Sequence, residues 1–282
     1  MKINPLIAFA VLAAASACSR ESGPDGLKEQ PAAKIGRDEM ELLWHDEFDG
    51  NTLDTLKWNH RDLGERRDAV NVREAVSVRN GKLYLNTFND TLAVGKARYY
   101  TGMISTEGRL DISKGYFEAR IRFAGKPGMW SAFWLQTPAY GRGSGNPEES
   151  GVEIDIVEHR MHDQDGKNIR NLVSSALHFG FDIESRTFSR QMKGVTRGYH
   201  LYGVNWDDSG YAFYFDGRLL YFAGSDEGVA VSDALQYIIL SSEVKDNGWA
   251  GKIPAKGFGT LEEDRTRMIV DWVRVYKPKP RK

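Results

Sequence analysis

The sequence predicts an all-β domain, built as a β-sandwich of the jelly-roll type. From Met40 onward, short apolar-rich runs alternate with turn signals, and no long stretch keeps a helical period. The run Gly115–Phe123 alternates strictly. Phe117, Ala119, Ile121 and Phe123 share one face, and Tyr116, Glu118, Arg120 and Arg122 share the other. Asn80-Gly81 and Asp216-Gly217 each lie between apolar-rich runs, the strongest short hairpin signal. Many strands without long helices argue for two packed antiparallel sheets.

The chain opens with Met1-Lys2, then an alanine-rich apolar stretch from Leu6 to Ala17. That stretch is too short to span a bilayer and reads as an export signal over residues 1–17. Cys18 follows at once, and as the single cysteine it excludes an intramolecular disulfide. The run Ala14-Ala15-Ser16-Ala17-Cys18 resembles a bacterial lipoprotein box, which makes Cys18 the expected lipidation site. The other reading is a plain signal with a chance cysteine near the cut. Ser19 stands where an Asp would resemble an inner-membrane retention signal, so the outer membrane is the expected address.

Residues 18–39 are rich in Gly, Pro, Lys, Glu and Ser and predict a flexible tether. Residues 40–277 form the expected domain, and 278–282 a basic, proline-containing tail that frays. The chain is 41% apolar, an ordinary globular composition that suits one large domain. Its net charge of −1 gives no reason to expect nucleic acid or a broad basic membrane surface as partner. Contact with a membrane is expected through the lipid anchor alone, and the domain is expected to be a monomer.

The run Glu153-Ile154-Asp155-Ile156-Val157-Glu158 carries the chemistry. β-Branched residues among the acids favour a strand. Glu153 and Asp155 then share a face, and Glu158 points away unless one extra residue intervenes. A bulge at Ile156-Val157 returns Glu158 to that face. Two such carboxylates about 5–5.5 Å apart equip a retaining glycosidase. Crowded acids cannot all stay ionised, so at least one proton is held at raised pKa. A solvated acidic edge or a cation site are the competing readings. Asp163-Gln164-Asp165-Gly166 has half the look of a calcium loop but lacks later ligands, and reads as a turn.

The acid run resembles the signature of glycoside hydrolase family 16 in its bulged form, as in laminarinases, agarases and κ-carrageenases. Trp44–Gly50, Gly115–Phe123, Gly128–Gln136, Tyr202–Leu220 and Val270–Tyr276 are also similar to family segments, in family order. The resemblance implies a concanavalin A-like lectin/glucanase sandwich that needs no cofactor. It implies Glu153 as nucleophile, Asp155 as assisting acid and Glu158 as acid/base. Trp130 resembles the tryptophan beside the catalytic subsite, and Trp249 a cleft-wall aromatic. His178 stands where the family usually has His followed by Trp-Gly, with Phe179 replacing that Trp. Glu47 and Asp271 match positions that help hold a structural calcium in some members.

Other side chains are weighed on their own spacing. Trp130 and Trp134 share a strand face with Ala132, opposite Ser131, Phe133 and Leu135. Sugar rings stack on such planes, although a sandwich core also uses tryptophans. His178 alternates with Ser174 and Ala176 and would hydrogen-bond the acid/base or a sugar hydroxyl. His159 and His162 lack a third zinc ligand and read as loop histidines. Trp249 lies in a polar, glycine-rich loop, whereas Trp206 reads as core. Arg66, Arg67 and Arg73 surround Asn71, and would hydrogen-bond sugar or sulfate or form a solvated charged loop.

The expected activity is a retaining endo-β-glycanase acting on a polysaccharide of β-1,3- or mixed β-1,3/1,4-linked glucose. A galactan such as agar, porphyran or carrageenan is the other substrate class. A glycan-binding lipoprotein without turnover and a transglycosylase are the competing functions.

Overall fold

The computed structural model describes residues 39–89, 98–140, 150–180, 184–263 and 266–279. The export signal, Cys18, nearly all of the tether and residues 141–149 lie outside the described residues. The strands, in chain order, are β1 (Met40–Asp46), β2 (Asn59–His60), β3 (Gly64–Arg66), β4 (Ala69–Asn71), β5 (Val76–Arg79), β6 (Lys82–Asn86), β7 (Phe88–Asn89), β8 (Tyr99–Thr101), β9 (Met103–Ser105), β10 (Gly115–Ala124), β11 (Met129–Gln136), β12 (Glu153–Arg160), β13 (Leu172–Phe179), β14 (Glu184–Gln191), β15 (His200–Asp207), β16 (Gly210–Phe215), β17 (Arg218–Ala223), β18 (Tyr237–Val244) and β19 (Arg267–Pro278).

They form two large sheets and a small one. The first runs β17-β16-β15-β10-β19-β6-β5, with β1 also pairing β19. The second runs β14-β13-β12-β11-β18-β9-β2 and carries the acid run near its centre. The small sheet runs β3-β4-β8-β7, in which β4 and β8 pair parallel.

The alternation of β10 sends Phe117, Ala119, Ile121 and Phe123 into the core between the large sheets. There they join Phe133 and Leu135 of β11, Ile154, Ile156 and Val157 of β12, and Leu177 of β13. Each such side chain larger than alanine, fully buried, stabilises the fold by roughly 1.5–3 kcal/mol. The other face of β10 is not uniformly solvated: Tyr116 and Glu118 are buried too. Tyr116 donates to Glu118 Oε1 at 2.7 Å and packs between the rings of Tyr214 and Tyr276.

Both expected hairpins form. Arg79 pairs with Lys82 across Asn80-Gly81, and Phe215 with Arg218 across Asp216-Gly217. All four turn residues have positive φ, as the twist-matched two-residue turn requires. The Trp44–Gly50 segment is an internal anchor: Trp58 Nε1 donates to the buried Asp46 at 2.7 Å, and the Phe48 amide to its other oxygen at 3.0 Å. Trp206 is core and donates to Ser232 O at 3.1 Å. The expected fraying at 278 is corrected. Pro278 pairs with Met40, and Lys279 N donates to Glu39 O at 2.8 Å, so the sheet continues there.

Candidate active site

The site lies on the face of the second sheet turned away from the core. Strand β11 alternates Trp130, Ala132, Trp134 and Gln136 onto this face, while Phe133 and Leu135 enter the core. A smaller apolar floor of Met103, Ala132, Trp134, Tyr237 and Ile239 covers the centre of the face.

Strand β12 is bulged where the sequence requires it. Against β11, Asp155 pairs with Trp134 and Val157 with Phe133, which leaves Ile156 without a partner residue. Against β13, Asp155 pairs with Ala176 and Glu158 with Ser174, so two residues oppose Ser175 alone. Glu158 thereby faces Ala132 on the floor side, in line with Asp155 beside Trp134. Ile156 and Val157 are both buried in the core, where alternation leads one to expect only one of them.

Three acids on a partly dry floor perturb one another. Burial pushes all three carboxyls above their ordinary values, Asp155 and Glu158 well above. The Glu153 charge raises Asp155 further, and the Asp155 charge raises Glu158. His178 and a hydrogen bond from Gln136 oppose the rise at Glu153. One acid held charged beside another held protonated is the equipment of acid–base and nucleophilic work at one centre.

His178 sits opposite Glu153 on β13, and its Nε2 lies 3.1 Å from Asp155 Oδ2. Its Nδ1 lies 2.7 Å from Ser185 Oγ. Its partner is the middle acid rather than Glu158, one of the two partners the sequence suggested. Glu153 instead meets a group sequence reasoning missed: Gln136 Nε2 donates to Glu153 Oε2 at 2.5 Å. Continuing the alternation of Trp130 and Trp134 by one more step would have found it. Tyr140, also missed, is half-buried nearby, where burial and the charges of Glu153 and Asp155 push its phenol up.

At the other end of the face, Trp130 meets Trp249 edge-on with centroids 5.5 Å apart. The Arg67 guanidinium lies 5.1 Å from the Trp130 ring, and that of Arg160 lies 3.6 Å from the Trp249 ring. Buried Glu243 accepts from Arg66 Nε at 3.2 Å and from Arg67 Nε at 2.7 Å. Trp134 is buried, with its Nε1 donating to Ser241 Oγ at 3.1 Å. Beyond Arg67 opens a cavity of about 610 Å³, lined among others by Asp68, Tyr99, Lys245 and Asn247. Asn71 is buried on β4, with neither amide atom hydrogen-bonded among the described residues. Arg73 is exposed in a short turn, and the side chain its charge acts on is His60. No contact among the described residues brings it to the acid row.

A sequence profile of the beta-porphyranase A–D GH16 domain matches residues 44–278, nearly all of the described domain. The chain belongs to glycoside hydrolase family 16. Glucan endo-1,3-beta-glucosidase A1 of Niallia circulans is 26% identical to it over 84% of this chain. This chain spans 38% of that relative's length. Beta-porphyranase E of Zobellia galactanivorans is 26% identical over 82% of this chain and 85% of its own. The laminarinase catalytic domain of Thermotoga maritima superposes with a TM-score of 0.71 at 25% identity, covering 86% of this chain and 99% of its own.

The family 16 calcium positions are not assembled here. Glu47 receives both Nε and a terminal nitrogen of Arg274, at 2.9 Å each, which holds its carboxyl below the usual range. Asp271 pairs with Arg120 at 2.5 Å and Lys82 at 3.2 Å. A cation there would have to displace these partners. Nor do His159 and His162 form a zinc pair. His159 belongs to β12 rather than a loop, is buried flat against Phe123, and lies 3.0 Å from Arg170 O. Burial pulls its pKa down to about 4, so it stays neutral. Asp163 closes the expected turn by accepting from the amides of Asp165 and Lys167. Glu153, Asp155 and His178 offer three ligand atoms within 4.8 Å of one another. Calcium takes six to eight oxygens and a closed zinc site four donors, so three fall short of either; an open zinc site takes three, but here His178 Nε2 is already engaged by Asp155 Oδ2 at 3.1 Å.

Proposed function

We propose that this family 16 chain is a retaining endo-β-glycanase. The bulge at Ile156-Val157 carries the reading, because it puts Glu153 and Glu158 on one face with Asp155 between them. Glu153, the acid with hydrogen-bonding support for its charge, attacks the anomeric carbon as the bond to the departing oxygen breaks. Glu158, held protonated by burial and by the Asp155 charge, gives its proton to that oxygen. It then takes a proton from water, which attacks the same carbon and frees Glu153. Asp155 and His178 take up the change in charge between the steps.

The preferred substrate in this reading is β-1,3-linked or mixed-linkage glucan, supported by the likeness to the Niallia glucosidase and the Thermotoga laminarinase. A sulfated galactan is the second reading. The porphyranase profile favours it, as do the guanidiniums of Arg66 and Arg67 beside Trp130, which suit sulfate. Export and a lipid on Cys18 belong to the same proposal, and Cys18→Ala should move the protein from the membrane to the soluble fraction.

Reducing-end release from laminarin, barley glucan, agarose, porphyran and κ-carrageenan, with Glu153→Ala as the blank, tests the substrate. Release from laminarin or barley glucan supports the first reading, and release from a galactan alone replaces it with the second. Longer chains formed from an added oligosaccharide acceptor would reveal a transglycosylase. Binding without release would leave a glycan-binding protein.

A further inference from the structure

Gln136 stands at the end of β11, one step beyond the Leu135–Ile154 pair that places Glu153 alongside it. Its amide is held from two sides. Arg61 donates a terminal nitrogen to Gln136 Oε1 at 3.1 Å, and the Tyr237 hydroxyl donates to the same oxygen at 3.1 Å. Arg61 is itself oriented. Its other terminal nitrogen donates to Glu107 Oε2 at 2.6 Å, and its guanidinium lies 5.1 Å from the Tyr237 ring. Arg61 can only donate, so a flipped amide would set NH₂ against a guanidinium and an oxygen against the Glu153 carboxylate. One orientation satisfies every partner, and in it Nε2 donates to Glu153 Oε2.

We propose that Gln136 is a positioning residue. Locked by Arg61 and Tyr237, it fixes the rotamer of Glu153 and favours the ionised form of that carboxyl. This matters because Glu153 is surrounded by conflicting groups. Asp155 and Glu158 lie on its own strand, with His178 on β13 and Tyr140 just past β11. Glu243 on β18 disfavours its charge and Arg66 on β3 favours it. A neutral donor at fixed range selects the ionised form of Glu153 without adding a charge that would also act on Glu158. His178 does the matching work at Asp155.

The test does not need a substrate. In protein carrying ¹³C-labelled glutamate carboxyls, the Glu153 signal is the one lost in Glu153→Gln, and its titration is followed by NMR. Gln136→Met keeps the length and removes the donor. Its Glu153 midpoint should rise by about one pH unit. Tyr237→Phe and Arg61→Met release the amide oxygen and should shift it the same way, by less. Tyr237→Phe carries the test alone if Gln136→Met fails to fold. A midpoint unchanged in the folded variants, or lowered, overturns the proposal.

The kinetic arm rests on the proposed role of Glu153 as nucleophile. On whichever polysaccharide is cleaved, the acidic limb of kcat/KM should move upward with the NMR midpoint. A limb that stays put while the midpoint moves would fault the nucleophile assignment and leave the clamp standing. A purely structural role for Gln136 would lower the melting temperature without moving either.

Discussion

His178 Nε2 lies 3.1 Å from Asp155 Oδ2, and His178 Nδ1 lies 2.7 Å from the hydroxyl of Ser185. The tautomer with its hydrogen on Nε2 satisfies both contacts, donating to the acid and accepting from the serine. The imidazole is thus committed to the middle acid. His178→Ala should lower kcat about tenfold while KM stays within about twofold, since the contact is to an acid and not to sugar. Steady-state kinetics decides it: a large rise in KM with kcat preserved would return His178 to holding a sugar hydroxyl.

The raised acids set a pH dependence of stability. A carboxyl whose folded value lies above its unfolded one favours the fold when protonated, and that gain is lost as pH rises through the folded value. For Glu158 the window opens at the unfolded value of 4.5, and for Asp155 at 3.8. The melting temperature should therefore fall from mildly acid pH toward pH 8. Glu158→Gln should remove much of that fall, raising Tm at pH 8 by ~2–4 °C for a gain of roughly 1 kcal/mol. Near pH 4 the variant and the parent should melt together. Calorimetry across this range checks both arms, and equal slopes would show that Glu158 is not desolvated.

Azide separates the roles of the outer acids. Glu158→Ala should lose turnover of polysaccharide but recover on a substrate with a good leaving group when azide is added. The expected product is the β-glycosyl azide, because azide then attacks the glycosyl-enzyme formed on Glu153. Rescue to the α-azide would reverse the two assignments.

Calcium should have little effect. Glu47 is occupied by Arg274 and Asp271 by Arg120 and Lys82, so neither carboxylate is free to ligate without breaking an ion pair. The melting temperature in EDTA and in millimolar calcium should agree within about 1 °C. A calcium-dependent rise of several degrees would show that these pairs give way to the ion.

The residues that strand periodicity governs were legible in the sequence. The inward face of β10, the two hairpin turns and the bulge within the acid run all follow from side-chain alternation and from which residues accept positive φ. Those are local properties, decided by neighbours within a few positions. What joins distant segments was not legible. Gln136 meets Arg61 and Tyr237 across gaps of 75 and 101 positions, and Glu243 meets Arg66 across 177. No period links such residues, because strand order within the sheet, not spacing along the chain, makes them neighbours. The same holds for Glu47: its motif matches a metal position, yet Arg274 reaches it from 227 positions away. The sequence by itself determined which face of β11 and β12 each side chain takes. Tertiary structure alone decided which partner each one found there, because hydrogen bonds and ion pairs depend on distances of a few ångströms that only the packed sheets define.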